Sequence, residues 1–424
     1  MKGDSHLERP SIVLRHIEVS QLCVGMFIHE LCGSWVDHPF WKRSFLLESP
    51  QDLEAIRVSP IHSLWIDLDK GLNIPAEPAP ALHIVEPAEP PRKPLRRPLA
   101  PPRLAMNDEL LRAADICSRS KTAVAQMFGE LRMGQVLGLE RVGDMVLEIS
   151  DSLMRHPDAL ISLARLKTAD EHCYLHSVAV CALMIGLARR LELPPNLVQE
   201  AGIAGLLHDV GKIGLPAQIL AKTSPLDEQE SRIWCGHPEA GGKMLLESRH
   251  ISLRVLDVCL HHHERADGSG YPHKLCGTQI SLFARMAAVC DVYDSMTSRC
   301  SGKPLWGPAE AIRQMVLLSA KFDQKVLHAF VRCVGIYPVG TLVRLRSGRL
   351  AVVVEQHPET LLLPKVKVFY SIARRMPIDQ QVVDLALVAQ EESILGPESE
   401  KTWGFKNLEQ FWAAGAASEG MQAH

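Results

Sequence analysis

From about residue 106 onward, apolar residues recur at three- and four-residue spacing, and the stretches 109–127 and 139–154 read as amphipathic helices. The same period runs through 155–333, where short Gly/Pro loops separate one helix from the next. The pattern changes on both sides of this region. Within 337–390, the runs 342–345, 350–354 and 365–370 are β-prone, and Ser347-Gly348 marks a hairpin turn. Within 11–74, β-prone runs at 12–14, 22–28 and 61–66 accompany a helix that starts at the capping pair Ser49-Pro50. Residues 75–103 carry ten prolines with interspersed Glu, Arg and Lys, a density that no packed element tolerates. This stretch reads as an extended spacer, the alternative being a ligand for a proline-binding domain.

The organisation expected from these patterns is a small N-terminal mixed domain (1–74), a proline-rich linker (75–105), a helical region (106–335, with its core at 150–335) and a C-terminal β-containing extension and tail (336–424). The fold class is multi-domain and mainly α: an all-α domain flanked by a small α/β domain and a small β-containing extension. No internal repeat at a solenoid period is present.

Composition narrows the function classes. Apolar residues make up 46% and aromatics 5% of the 424 residues, which suits helices packed with Leu, Ala and Val. The formal net charge of −3 gives no global field toward a nucleic-acid polymer or an anionic membrane. Eleven scattered cysteines without a C-x-x-C pair read as reduced thiols of a cytoplasmic protein. Neither a signal peptide nor an apolar run long enough to span a membrane is expected.

The chemistry is carried by histidines and carboxylates in five segments between residues 172 and 294. In Gly205-Leu206-Leu207-His208-Asp209-Val210-Gly211-Lys212-Ile213-Gly214, an apolar helix ends in an imidazole and a carboxylate able to face one metal; a helix-terminal His facing the dipole is the plainer alternative. In His261-His262-His263-Glu264-Arg265-Ala266-Asp267-Gly268-Ser269-Gly270-Tyr271-Pro272, three consecutive histidines precede a tight turn, and burying them without ligands would strand polar nitrogens. Asp291 and Asp294 share an otherwise apolar helix face, and a buried carboxylate needs a cation. His172 and His176 form an i, i+4 pair. His237 opens a helix. Each segment alone has a bland reading as a surface patch or solvated face. Five in order within one helical region argue for a metal centre.

These motifs resemble the HD-GYP domains, a subgroup of the HD-domain metal-dependent phosphohydrolases. The resemblance covers roughly residues 150–335, and the His208-Asp209 pair and the Gly270-Tyr271-Pro272 triplet stand as written; the N-terminal region resembles the small domain often fused ahead. It implies an all-α catalytic domain that hydrolyses the bacterial second messenger cyclic di-GMP to linear pGpG, with GMP as the alternative end product. It also implies two or three divalent metals, iron or manganese. The ligands it implies are His176, His208, Asp209, His237, His262, His263 and Asp291, with Asp209 bridging two metals and His261 left as a neighbour. His172 stands where family members with a third metal carry a Glu. Arg299 and Lys303 are the candidates for contacts to substrate phosphates, in a segment that departs from the family wording.

The implied mechanism is attack of a metal-activated hydroxide on the phosphodiester. Asp209 and Lys212 are the catalytic candidates, Lys212 being placed to stabilise the phosphate or protonate the leaving oxygen. Gly268, Gly270, Tyr271 and Pro272 shape the substrate wall or contact a signalling partner. Two other readings remain open: an HD-type hydrolase of another nucleotide, and a catalytically weak cyclic di-GMP receptor or scaffold.

Overall fold

The computed structural model describes residues 14–32, 44–59, 63–67, 70–72, 101–135, 137–166, 172–220, 222, 224–248, 251–298, 305–357 and 359–413. The chain divides into two compact units, 1–97 and 98–424.

In the first unit, strands β1 (Leu14–Glu18), β2 (Phe27–Cys32), β3 (Phe45–Leu46) and β4 (Ser63–Asp67) form one antiparallel sheet in the order β1-β4-β2-β3. Helix α1 (Pro50–Val58) starts where expected, with Ser49 capping the Gln51 N–H. Ile17, Met26, Ile28, Leu47, Ile56, Leu64 and Ile66 make its core. The apolar run at 22–28 is strand only from Phe27. Gly25 takes φ +95 and the Met26 N–H bonds back to the Cys23 carbonyl, so Leu22 to Met26 form a turn from which Leu22 and Met26 still reach the core while Val24 is exposed. Of the run at 12–14, residues 12 and 13 lie outside the described residues.

In the second unit the helices are α2 (Met106–Arg132), α3 (Leu139–Arg155), α4 (Pro157–Ala164), α5 (His172–Arg190), α6 (Pro195–Leu207), α7 (Ala217–Leu220), α8 (Glu228–Cys235), α9 (His237–Glu247), α10 (Leu253–His261), α11 (Leu282–Thr297), α12 (Pro308–Leu317) and α13 (Gln324–Val334). Helix α5 is the central post, packed against α2, α4, α6, α11 and α13. Its segment from Val178 to Met184 is buried on every side, as an all-round apolar helix must be. Gly205 lets α6 approach it: a Cβ there would lie 2.9 Å from the Val180 carbonyl oxygen. That approach brings the end of α6 to the start of α5.

Strands β5 (Leu342–Leu345), β6 (Arg349–Glu355), β7 (Lys365–Ser371), β8 (Met376–Asp384) and β9 (Ile394–Pro397) form an antiparallel sheet in the order β8-β7-β6-β5-β9, and a short helix α14 (Glu400–Trp403) follows. Along β6, Leu350 and Val352 join the helical core while Ala351 and Val353 join a second core with Val343, Val366 and Val368. Both faces of β6 are buried, so it reads as a continuous apolar run. The sheet is tied to the helices by polar bonds as well. Arg165 donates to the Val339 carbonyl at 2.9 Å, and the Gln356 N–H donates to Asp158 at 2.9 Å.

Candidate metal centre

Five pieces of chain converge on one point. The end of α6 supplies His208 and Asp209, and a 3-10 turn (Val210–Gly214) carries Lys212. That turn packs on the start of α9, where His237 is the first residue; a Cβ at Gly211 would lie 1.9 Å from the His237 carbonyl oxygen, so only glycine fits. Helix α10, capped by Ser252, ends at His261 and delivers His262 and His263. Helices α5 and α11 bring His176 and Asp291 from sequence-distant positions.

The Asp209 carboxylate sits at the middle. Its Oδ1 lies 3.2 Å from His237 Nε2 and 3.4 Å from His262 Nε2; its Oδ2 lies 3.3 Å from both His176 Nε2 and His208 Nε2. Asp291 lies 3.2 Å from His176 Nε2 and 3.7 Å from His263 Nδ1. Ligand-atom spacing picks out the same two groups, Asp209-His237-His262-His263 and His176-His208-Asp209, which share Asp209.

The outer hydrogen bonds decide the tautomers. His208 Nδ1 donates to the Gly205 carbonyl at 2.7 Å, His237 Nδ1 to the Trp234 carbonyl at 2.7 Å, and His262 Nδ1 to the Cys259 carbonyl at 3.0 Å. A carbonyl only accepts, so each neutral ring turns its Nε2 lone pair inward. Lone pairs are therefore turned toward one another and toward Asp209: His237 and His262 Nε2 are 3.4 Å apart, and His208 Nε2 lies 3.3 Å from Asp209 Oδ2 and 3.2 Å from His176 Nε2. Asp209 Oδ1 and His263 Nε2 are buried without a hydrogen-bond partner. Inward-facing acceptors in a buried site need a cation. The nitrogen-and-oxygen donor set suits a borderline or hard divalent metal.

The carboxylates call for positive charge at this point: burial opposes charge on His176, but Asp209, Asp291 and Asp294 outweigh it and raise its pKa well above the usual imidazole range, a charge that a bound ion would replace. Burial holds His262 down to about 4, and burial with the neighbouring His262 holds His263 well below the ordinary value, so both rings are neutral. Burial opposes ionisation of Asp209, yet Lys212 and His208 bring it well below the usual carboxylate range.

All seven residues named above as ligands come together. Lys212 donates to Asp209 Oδ2 and lies over the Trp234 ring at 5.1 Å. Tyr271 stacks on His263 with ring centroids 4.6 Å apart. Gly268, Gly270 and Pro272 lie in the turn around it. His261 points elsewhere, bonding Asp257 at 2.7 Å and His273 at 3.1 Å. His172 begins α5, but its side chain lies outside the described residues, as do Arg299 and Lys303. Two further residues belong to the site. Asp294 accepts from His176 Nδ1 at 2.6 Å. Glu264, buried, accepts the His273 and Leu275 N–H groups at 2.7 and 3.0 Å and braces the Gly-Tyr-Pro turn. Asp294 had a signal in its three-residue spacing from Asp291; Glu264 had none beyond following His263.

Residues 149–326 match the HD domain, and residues 14–142 match a domain of unknown function (DUF3391). The chain is 53% identical over 409 residues to a cyclic di-GMP phosphodiesterase of Pseudomonas aeruginosa, covering 96% of this chain and 98% of that one. The chain belongs to the HD-GYP family of cyclic di-GMP phosphodiesterases. A cyclic di-GMP phosphodiesterase of Thermotoga maritima is 33% identical over 187 residues (44% of this chain, 50% of that one). A 3'3'-cGAMP-specific phosphodiesterase of Vibrio cholerae is 39% identical over 160 residues (37% and 30%). Family members of this kind are metal-dependent hydrolases, which suits the centre. Among the described residues no helix is long and apolar enough to cross a membrane.

Proposed function

We propose that this chain hydrolyses cyclic di-GMP to linear pGpG, and pGpG onward to GMP, at the centre built around Asp209. The observation that carries the reading is the convergence of inward-facing imidazole lone pairs on both oxygens of one buried carboxylate. His237, His262 and His263 would hold one divalent ion, His176, His208 and Asp291 another, with Asp209 shared, and iron or manganese fits this donor set. Such ions, when bound, supply Lewis-acid polarisation of the phosphodiester and acidification of water.

The chain's own residues do the rest. Lys212 keeps Asp209 ionised and sets an ammonium beside the centre, where it neutralises phosphate charge or protonates the ribose 3' oxygen as the P–O bond breaks and the new P–O bond to water forms. Asp294 accepts from His176 Nδ1, which turns Nε2 toward Asp209 and Asp291 as a ligand. Tyr271, fixed by its stack on His263, and the Gly268–Pro272 turn wall the pocket, and the same turn is exposed enough at Ser269 to meet a signalling partner. Arg299 and Lys303 would contact the second phosphate, and His172 would serve a third metal. In this reading the chain works in the cytoplasm, which suits the free thiols of Cys181, Cys259 and Cys290.

The likeness to a 3'3'-cGAMP-specific relative favours one second reading, a different cyclic dinucleotide as substrate. A panel of cyclic di-GMP, 3'3'-cGAMP, a dNTP and (p)ppGpp, followed by chromatography with the iron- or manganese-loaded protein, separates them. Cyclic di-GMP is expected to be consumed with the highest kcat/KM. Preferential loss of another member of the panel would reassign the substrate.

A further inference from the structure

Lys212 and Tyr271 sit on the side of the centre where its residues regain some exposure. Between them lies the end of α8, which contributes Trp234 and Cys235. Trp234 is half-buried, its ring under the Lys212 ammonium at 5.1 Å and edge-on to His237 at 6.1 Å and 71°. Tyr271 meets the same His237 ring edge-on at 6.5 Å and 82°. The two aromatic rings therefore flank one metal-facing imidazole. Only the Trp234 carbonyl is used by the centre, as acceptor for His237 Nδ1. That bond belongs to the backbone and would be made by any residue at 234, so it does not account for an indole.

We infer that Trp234 is a specificity-determining residue whose indole stacks on a guanine base of the substrate through the face opposite Lys212, while Lys212 takes the adjoining phosphate. An ammonium over one face of an indole leaves complements to the two parts of a nucleotide, charge for the phosphate and an apolar plane for the base. Helix α8 is positioned for this by its own capping box, in which Asp227 accepts the Glu230 N–H and Glu230 accepts the Asp227 N–H, both at 2.8 Å. The inference rests on the cyclic dinucleotide reading above.

The test compares Trp234→Leu and Trp234→Phe in the metal-loaded full chain, with KM and kcat for cyclic di-GMP measured by chromatography. Loss of one base stack corresponds to about 5- to 150-fold in binding. Trp234→Leu is expected to raise KM by about that factor, with the loss falling on KM far more than on kcat, and Trp234→Phe to restore a KM near wild type. A kcat loss at unchanged KM in Trp234→Leu would mean that the indole only pins Lys212 and would overturn the inference. So would equal rescue by Leu and Phe. Wild type inert toward cyclic di-GMP would overturn the substrate reading and this inference together, whereas active wild type with an unaffected Leu variant would overturn the stacking alone.

Discussion

Asp294 Oδ2 lies 2.6 Å from His176 Nδ1, joining α11 to α5 across 118 residues of sequence. The carboxylate is buried and fixes the ring so that Nε2 faces Asp209 and Asp291. Removing its charge while keeping its shape should loosen the ligand without unfolding the helix. Asp294→Asn is expected to lower metal affinity or turnover by about 10- to 100-fold. Metal titration followed by an activity assay measures this, and wild-type values in both would show that Asp294 does not orient His176.

Lys212 touches Asp209 but is not positioned as a metal ligand. Lys212→Met is therefore expected to keep its metal and lose about 100-fold or more in kcat, the scale seen when one charge-stabilising donor is removed. Metal content and kcat measured on the same preparation decide this. Loss of metal in the variant would instead show that Lys212 acts through the Asp209 carboxylate alone and not on the substrate.

Glu264 accepts two backbone N–H groups that close the turn after the histidines. Hydrogen bonds to a charged group contribute about 1.5–3 kcal/mol. Glu264→Gln should lower the urea stability of the helical unit by an amount of that order and raise KM, because the Tyr271 wall loses its brace. Unchanged stability with unchanged KM would contradict the assigned role.

The short-range part of the site was legible in the sequence because it is written in short-range motifs. His208-Asp209 and His262-His263-Glu264 stand at helix ends that Gly and polar residues announce. The jobs of Asp294 and Glu264 were not legible, since each depends on a tertiary partner or a loop conformation that spacing does not encode. The same holds in the C-terminal sheet. Strands β5, β6 and β7 were visible as β-prone runs, whereas β8 is interrupted by Asp379, Gln380 and Gln381, is mostly exposed and takes its conformation from pairing with β7. Strand β9 carries Gly396 and Pro397, residues that argue against strand on propensity, and pairs with β5 nonetheless. The expectations for His172, Arg299 and Lys303 concern side chains outside the described residues.

Behind Asp291 and Asp294, Tyr293 on the same helix packs edge-on against Phe330 of α13 at 5.2 Å, both fully buried. Phe330→Ala should cost about 3–5 kcal/mol of stability, a cavity effect read by urea denaturation. A loss under about 1 kcal/mol would mean that this part of the core collapses to fill the space.

The central claim is that one carboxylate joins two metal half-sites that hydrolyse a cyclic dinucleotide. Its most direct test is the metal content per chain of wild type and Asp209→Ala, loaded anaerobically with iron or manganese, beside cyclic di-GMP turnover of the same samples. The account predicts at least two ions per wild-type chain with turnover, and loss of both metal and turnover in Asp209→Ala. Wild type that takes up neither metal and leaves cyclic di-GMP intact would contradict it.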